Sequence, residues 1–103
     1  MQKHSNEYYL NGIRDRDDAV IKQILGEFLP GITAFVMKNK GQEEDAREIM
    51  NKVIYQLTAR LDREEIVINT KFEGYLFTAC KNLWRRELLK NEKRGCISQK
   101  NFQ

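Results

Sequence analysis

Residues 72–94 read FEGYLFTACKNLWRRELLKNEKR, and their periodicity decides the fold class. Phe72, Leu76, Ala79 and Leu83 recur at spacings of four, three and four. That places them on one face of a 3.6-residue helix turned toward a core. The opposite face is predicted to carry Phe77, Lys81, Trp84 and Leu88, with Thr78, Asn82 and Arg85 beside them. Planar groups, amides and cations then share one surface, a combination able to stack bases and hold phosphates.

Upstream, Asn69 or Thr70 is expected to cap this helix. Residues 62–69 break the period, mixing charges with Ile66, Val67 and Ile68, and read as a loop that tucks its apolar residues under a bundle. Before it, Ala46, Ile49, Met50, Val53, Ile54, Leu57 and Leu61 form a stripe wide enough for a buried helix face, with Glu48, Asn51, Lys52 and Tyr55 on the other side. Glu43, Glu44 and Asp45 set negative charge on the positive end of that helix, after Gly41 ends the preceding unit. Near the start, Ser5 or Asn6 is expected to cap a short helix through about Ile13. Asp15, with Asp17 and Asp18, begins a second, whose apolar positions are Ala19, Val20, Ile24, Leu25 and Phe28. Pro30-Gly31 is expected to interrupt it, Pro30 restarting a helix to about Asn39 with Ile32, Phe35 and Val36 inward. The expected fold is all-α, a compact bundle of four to five helices over residues 1–94, followed by a polar tail or linker start at 95–103.

With 103 residues the chain has room for one domain, and a domain of this size buries roughly two-thirds of the surface its unfolded chain exposes. One proline, six glycines and 32% charged residues suit a soluble helical protein. The longest nearly apolar run, residues 28–37, is broken by Pro30-Gly31 and Thr33, short of the ~20 residues that cross a bilayer. Residues 1–9 are polar and form no signal peptide, so no membrane is expected and a reducing cytoplasm is. Cys80, Cys96 and the single His4, at an end expected to fray, offer neither a metal-ligand spacing nor a disulfide framework. Neither metal nor cofactor is expected, and Cys80 reads as a small buried hydrophobe. The sequence has no nucleophile-base pairing, phosphate-cradling glycine loop or carboxylate-histidine cluster, so an enzyme is not expected.

Charge is unevenly spread. Residues 41–65 carry a net −3 and residues 71–94 a net +4, against +3 for the whole chain. An acidic helix followed by a basic one suggests two partners of opposite character.

Glu44-Asp45-Ala46-Arg47-Glu48-Ile49, then after a loop Phe72-Glu73-Gly74-Tyr75-Leu76 and Cys80-Lys81-Asn82, resembles region 2 of bacterial sigma factors, and among these the extracytoplasmic-function group. Order, spacing and charge match over residues 6–94. The resemblance implies a helical domain that binds RNA polymerase core and recognises and helps open the promoter minus-ten element. By similarity, Glu48, Asn51, Lys52 and Tyr55 would face the clamp helices of the polymerase β′ subunit. Tyr75, Thr78 and Asn82 would approach bases of the non-template strand, and Lys81, Arg85, Arg86, Lys90 and Lys93 would hold phosphates. The loop with Asn69 would capture an extruded base, and an anti-sigma protein is a further partner the resemblance suggests. Four positions depart from the family pattern: its Gln-Glu pair is Asn51-Lys52 here, its tryptophan before leucine is Tyr75, and an acidic residue four positions after Asn82 is Arg86. The family's second domain, region 4, is not encoded within these residues.

The residue types fit that task on physical grounds. Extruding a base costs a few kcal/mol of stacking and pairing. Aromatic side chains return ~1–3 kcal/mol per stacked base, loop amides such as Asn69 hydrogen-bond its edge, and cations position the strand without reading it. Two readings stay open for Trp84, Phe77 and Tyr75, packing or base contact, because a long helix in a small bundle can be packed on two sides. A competing function is a helical protein-interaction module using the acidic helix without DNA binding. A helix-turn-helix repressor fits less well, since an eight-residue loop precedes the basic helix.

Overall fold

The computed structural model describes residues 2–95, with side chains as far as Asn91. Ser5 opens helix α1, Asn6–Arg14, its hydroxyl accepting from the Tyr8 N–H at 3.1 Å. The helix closes in a Schellman turn: Asp17 N–H reaches Gly12 O at 2.9 Å and Arg16 N–H reaches Ile13 O at 3.1 Å. Arg16 takes the left-handed conformation this turn needs, with φ of 54°. Asp15 is therefore the C-cap of α1, and Asp17, accepting from Ala19 N–H at 3.0 Å, caps α2.

Helix α2 runs unbroken over Asp18–Lys38, which corrects the expected interruption at Pro30-Gly31. Proline in a helix interior removes the bond to the carbonyl four residues back and crowds it, at a cost of ~3 kcal/mol. Here that carbonyl belongs to Gly26, and both residues lie on the exposed side, where water can serve it. Meanwhile Val20, Ile24, Phe28, Ile32 and Val36 are buried on the other side and hold the helix together across the proline. Pro30→Ala is expected to stabilise the fold by about 2–2.6 kcal/mol, the ~3 kcal/mol penalty less the ~0.4–1 kcal/mol by which proline stiffens the unfolded chain. A higher urea midpoint at unchanged slope is the readout. Because it is continuous, α2 is long and apolar enough to cross a membrane by length and composition, which the ten-residue apolar run had not suggested. In this fold it packs against α1, α3 and α4.

At the end of α2 the left-handed position is Lys40, φ 75°, rather than glycine. Gly41 serves a different need: a β-carbon there would run into Val36 and the Trp84 indole. Helix α3, Glu43–Leu61, starts as the acidic cluster predicted, with Gln42 N–H donating to Asp45 Oδ2 at 2.9 Å. All seven residues of its apolar stripe are buried.

Helix α4 spans Phe72–Gly95, and its start differs from expectation. Neither Asn69 nor Thr70 caps it. Asn6 Oδ1 accepts from Phe72 N–H at 2.7 Å and Gln2 Oε1 from Glu73 N–H at 2.9 Å, so distant side chains satisfy the free amides of the first turn. The N-terminal residues are held in place for this. The buried Tyr9 hydroxyl accepts from the Lys3 and His4 N–H groups at 3.1 and 3.2 Å and donates to Glu27 at 2.7 Å. Burial and the bond to Glu27 raise the Tyr9 pKa. Burial would push Glu27 up, but the bonds from Tyr9 and Gln23 outweigh it, and the carboxyl lies below its usual range. His4, expected to fray, stacks on Tyr8 with ring centroids 4.1 Å apart.

The core brings Tyr9, Phe28 and Phe72 together, Tyr9 stacked on Phe72 at 4.8 Å and edge-on to Phe28 at 5.6 Å. Four helices and no strand among the described residues make this the all-α bundle expected.

Candidate nucleic-acid and partner surfaces

On α4 the buried residues are Phe72, Leu76, Cys80, Leu83 and Trp84, while Ala79 is only half-buried. This corrects the predicted aromatic-cationic face. The helix is packed on two sides, by α2 and by α3, so its buried arc widens from the Phe72-Leu76-Leu83 line to include Cys80 and Trp84. Trp84 is 6% exposed, and its indole N–H donates at 3.0 Å to the backbone carbonyl of Asn39, the C-cap of α2. Phe77 is half-buried over Gly31, where a β-carbon would meet its ring. Leu88 is also half-buried. The indole is not free to stack on a base, and the Phe77 ring is partly covered by α2. Cys80 is buried against Met50 at 4.0 Å between sulfurs, and burial pushes its thiol up to about 12, which leaves it inert.

What α4 does present outward is a polar strip. Thr78, Asn82, Arg85 and Leu89 recur at spacings of four, three and four and are exposed. Tyr75 borders this strip, half-buried, with its hydroxyl accepting from Arg60 at 2.9 Å. Lys81 and Arg85 lie toward α2, over the face of Phe35: the Lys81 ammonium is 5.4 Å and the Arg85 guanidinium carbon 5.8 Å from the ring centroid. Arg86 and Lys90 are exposed on the other edge. Cations thus line both edges of the strip, Arg85 within it and Lys81 over the Phe35 and Phe77 rings on the α2 side. The side chain of Lys93 lies outside the described residues.

The preceding loop leaves Asn69 exposed and Val67 80% exposed, while Ile66 and Ile68 pack against the core. Its first residue, Asp62, takes a two-pronged contact from Arg16, at 2.7 and 3.3 Å, which holds its carboxyl below the usual range. Arg60 meanwhile bonds Glu64 at 3.2 Å as well as Tyr75, joining the end of α3 to the start of α4.

On α3, Glu48, Asn51, Lys52 and Tyr55 are all exposed, Tyr55 by 76%. Lys52 reaches across to Glu87 of α4 at 3.4 Å, a solvent-screened pair. Acidic side chains near histidine or cysteine form no metal-binding cluster among the described residues.

Four contributors escaped the sequence reading. Phe35 had been placed in the core and is half-buried beneath two cations. Arg60, Gln2 and Asn6 act across long separations that no local period encodes.

Compared with known proteins, the chain matches no protein-family model, no curated protein and no solved structure.

Proposed function

We propose that this chain is a region 2-type sigma domain: it binds RNA polymerase core through the β′ clamp helices and recognises and helps open the promoter minus-ten element, acting in the cytoplasm without cofactor or covalent chemistry. The observation that carries the reading is the exposed strip of Thr78 and Asn82, bordered by Tyr75, flanked by cations on both edges and led into by a loop with an exposed Asn69. Amides, a hydroxyl and one aromatic edge can address splayed bases there, and cations on either side can follow the strand. Trp84 has no part in it. The outward face of α3, with Glu48, Asn51, Lys52 and Tyr55, is separate and would take the polymerase. An anti-sigma protein would compete for one of these two surfaces.

A protein-interaction module without DNA binding remains the second reading, favoured by Tyr55, a bare aromatic on a charged helix face of the kind interfaces bury. Two measurements on the full chain separate the readings. Under the sigma reading it binds a randomised single-stranded DNA pool better than the same pool made duplex, with affinity that falls as salt rises. Glu48→Arg with Asn51→Ala weakens capture of a purified β′ clamp-helix fragment while helicity is unchanged. Equal, salt-insensitive binding to both DNA forms rejects the DNA role, and undiminished capture removes α3 from the polymerase contact.

A further inference from the structure

Both ends of the 62–71 loop are held by one element, α1 and the residues beside it. At the loop's start Arg16, just past α1, grips Asp62. At its end Asn6 Nδ2 donates to Thr70 O at 2.7 Å while Asn6 Oδ1 accepts from Phe72 N–H at 2.7 Å. Gln2 extends the same end, donating to Asn6 Oδ1 at 3.0 Å and accepting from Glu73 N–H at 2.9 Å. Beneath these contacts Tyr9 stacks on Phe72, so the polar ties rest on a packed base. The loop has no regular backbone hydrogen bonding of its own after Glu64, and Val67 and Asn69 face solvent. Its shape is therefore set from outside, by a side-chain amide that bonds the chain on both sides of Lys71.

We propose that α1 is a brace that holds the 62–71 loop in a shape ready to receive an unpaired base, with Asn6 the principal positioning residue and Arg16 the second. This rests on the sigma-type reading above. A loop fixed before binding loses less conformational freedom when the base enters, so bracing raises affinity for the base without touching it. Asn6 meets α4 at Phe72, nine residues or ~13 Å of helix before Lys81, and Arg16 bonds Asp62 at the far end of the loop, so cutting either tie leaves the α4 cations in place.

The test uses the full chain and the best-binding strand selected from a randomised single-stranded DNA pool, compared with that strand made abasic at one position at a time. One captured base is expected to give wild type roughly a tenfold preference for the intact strand over the abasic one that loses it. Asn6→Ala is expected to cut that preference to about twofold and Arg16→Ala to reduce it less, with the affinity for the abasic strand unchanged in both. Amide exchange at Phe72 and Glu73 should quicken in Asn6→Ala, which confirms that the tie was cut. If wild type prefers no intact base, base capture by the loop fails and takes the brace with it, while salt-dependent strand binding still tests the DNA role separately. If wild type discriminates and both variants keep the full preference, the brace alone is overturned. Affinities for intact and abasic strands that fall in parallel also overturn it, since that is what general loss of folding produces. Arg16→Ala, an exposed pair, keeps the comparison open if Asn6→Ala does not fold.

Discussion

Trp84→Ala is expected to lower the unfolding free energy by about 3–5 kcal/mol, the loss typical of deleting a buried aromatic. Against a total of ~5–15 kcal/mol for a domain, that leaves part of the population unfolded. The melting midpoint should fall by ~12 °C or more. The cost is high because the indole fills space shared by three elements. It sits at the edge of the buried arc beside Cys80, its edge lies on Gly41, and its N–H satisfies Asn39 O at 3.0 Å. Trp84→Phe keeps most of the apolar area and loses the hydrogen bond. The Asn39 carbonyl is left without that donor, and a loss of about 1–3 kcal/mol is expected. Both variants lack the chain's single tryptophan, so helical circular dichroism in a urea titration reports the stability loss, while wild-type indole fluorescence reports whether the ring is buried. Emission typical of a solvated indole in the native state, with a loss under ~1 kcal/mol, would place the ring outside and restore it as a base-stacking candidate. Folded Trp84→Phe should bind single-stranded DNA as wild type does, whereas a sharp loss of binding in that variant would return the indole to the interface.

The contrast between α3 and α4 explains how far the sequence could be read. In α3 one face is apolar and the other charged, so the period names every buried residue in advance, from Ala46 to Leu61. In α4 two neighbours press on adjacent sides, and the helix is apolar over an arc too wide for a single stripe to describe. Cys80, expected to be buried beside the Phe72, Leu76, Ala79 and Leu83 stripe, is buried, but setting Trp84 on the opposite face misses the wider arc that Phe72, Leu76, Cys80, Leu83 and Trp84 mark at spacings of four, four, three and one. Pro30 misled in another way. Local chemistry forecast a break, but the penalty of a few kcal/mol is smaller than what burying Ile24, Phe28 and Ile32 on either side of it returns. The residues proposed to face DNA were legible as types, since Thr78, Asn82, Arg85, Arg86 and Lys90 all prove exposed. Their supports were not. Asn6 and Phe72 lie 66 residues apart, as Arg16 and Asp62 lie 46 apart, and only the folded chain brings such pairs together.

Lys81→Ala with Arg85→Ala is expected to produce the largest change in nucleic-acid affinity. Each cation that meets a phosphate of a single strand contributes about 0.7 to the slope of log affinity against log salt, so removing two should flatten it by about 1.4. Extrapolated from 1 M, where that contribution vanishes, to about 0.1 M, the same slope corresponds to roughly 25-fold weaker binding. These two are chosen because Phe35 lies beneath both, at 5.4 and 5.8 Å from its centroid, an arrangement that restricts their motion and leaves their outer faces to a phosphate. Lys81 is also 5.8 Å from the Phe77 ring, which further limits it. Phe35→Leu retains both charges and removes the aromatic face, so its slope should stay at the wild-type value while affinity drops modestly. Arg86→Ala with Lys90→Ala removes the same charge from the other edge of the strip. If a strand runs along Thr78 and Asn82 between the two edges, both double variants flatten the slope. If only Arg86 and Lys90 matter, the strand passes on the side away from α2, and the Phe35 platform has another purpose. A slope that neither pair alters means that α4 does not carry the strand, and the net +4 of residues 71–94 is then a solvated surface.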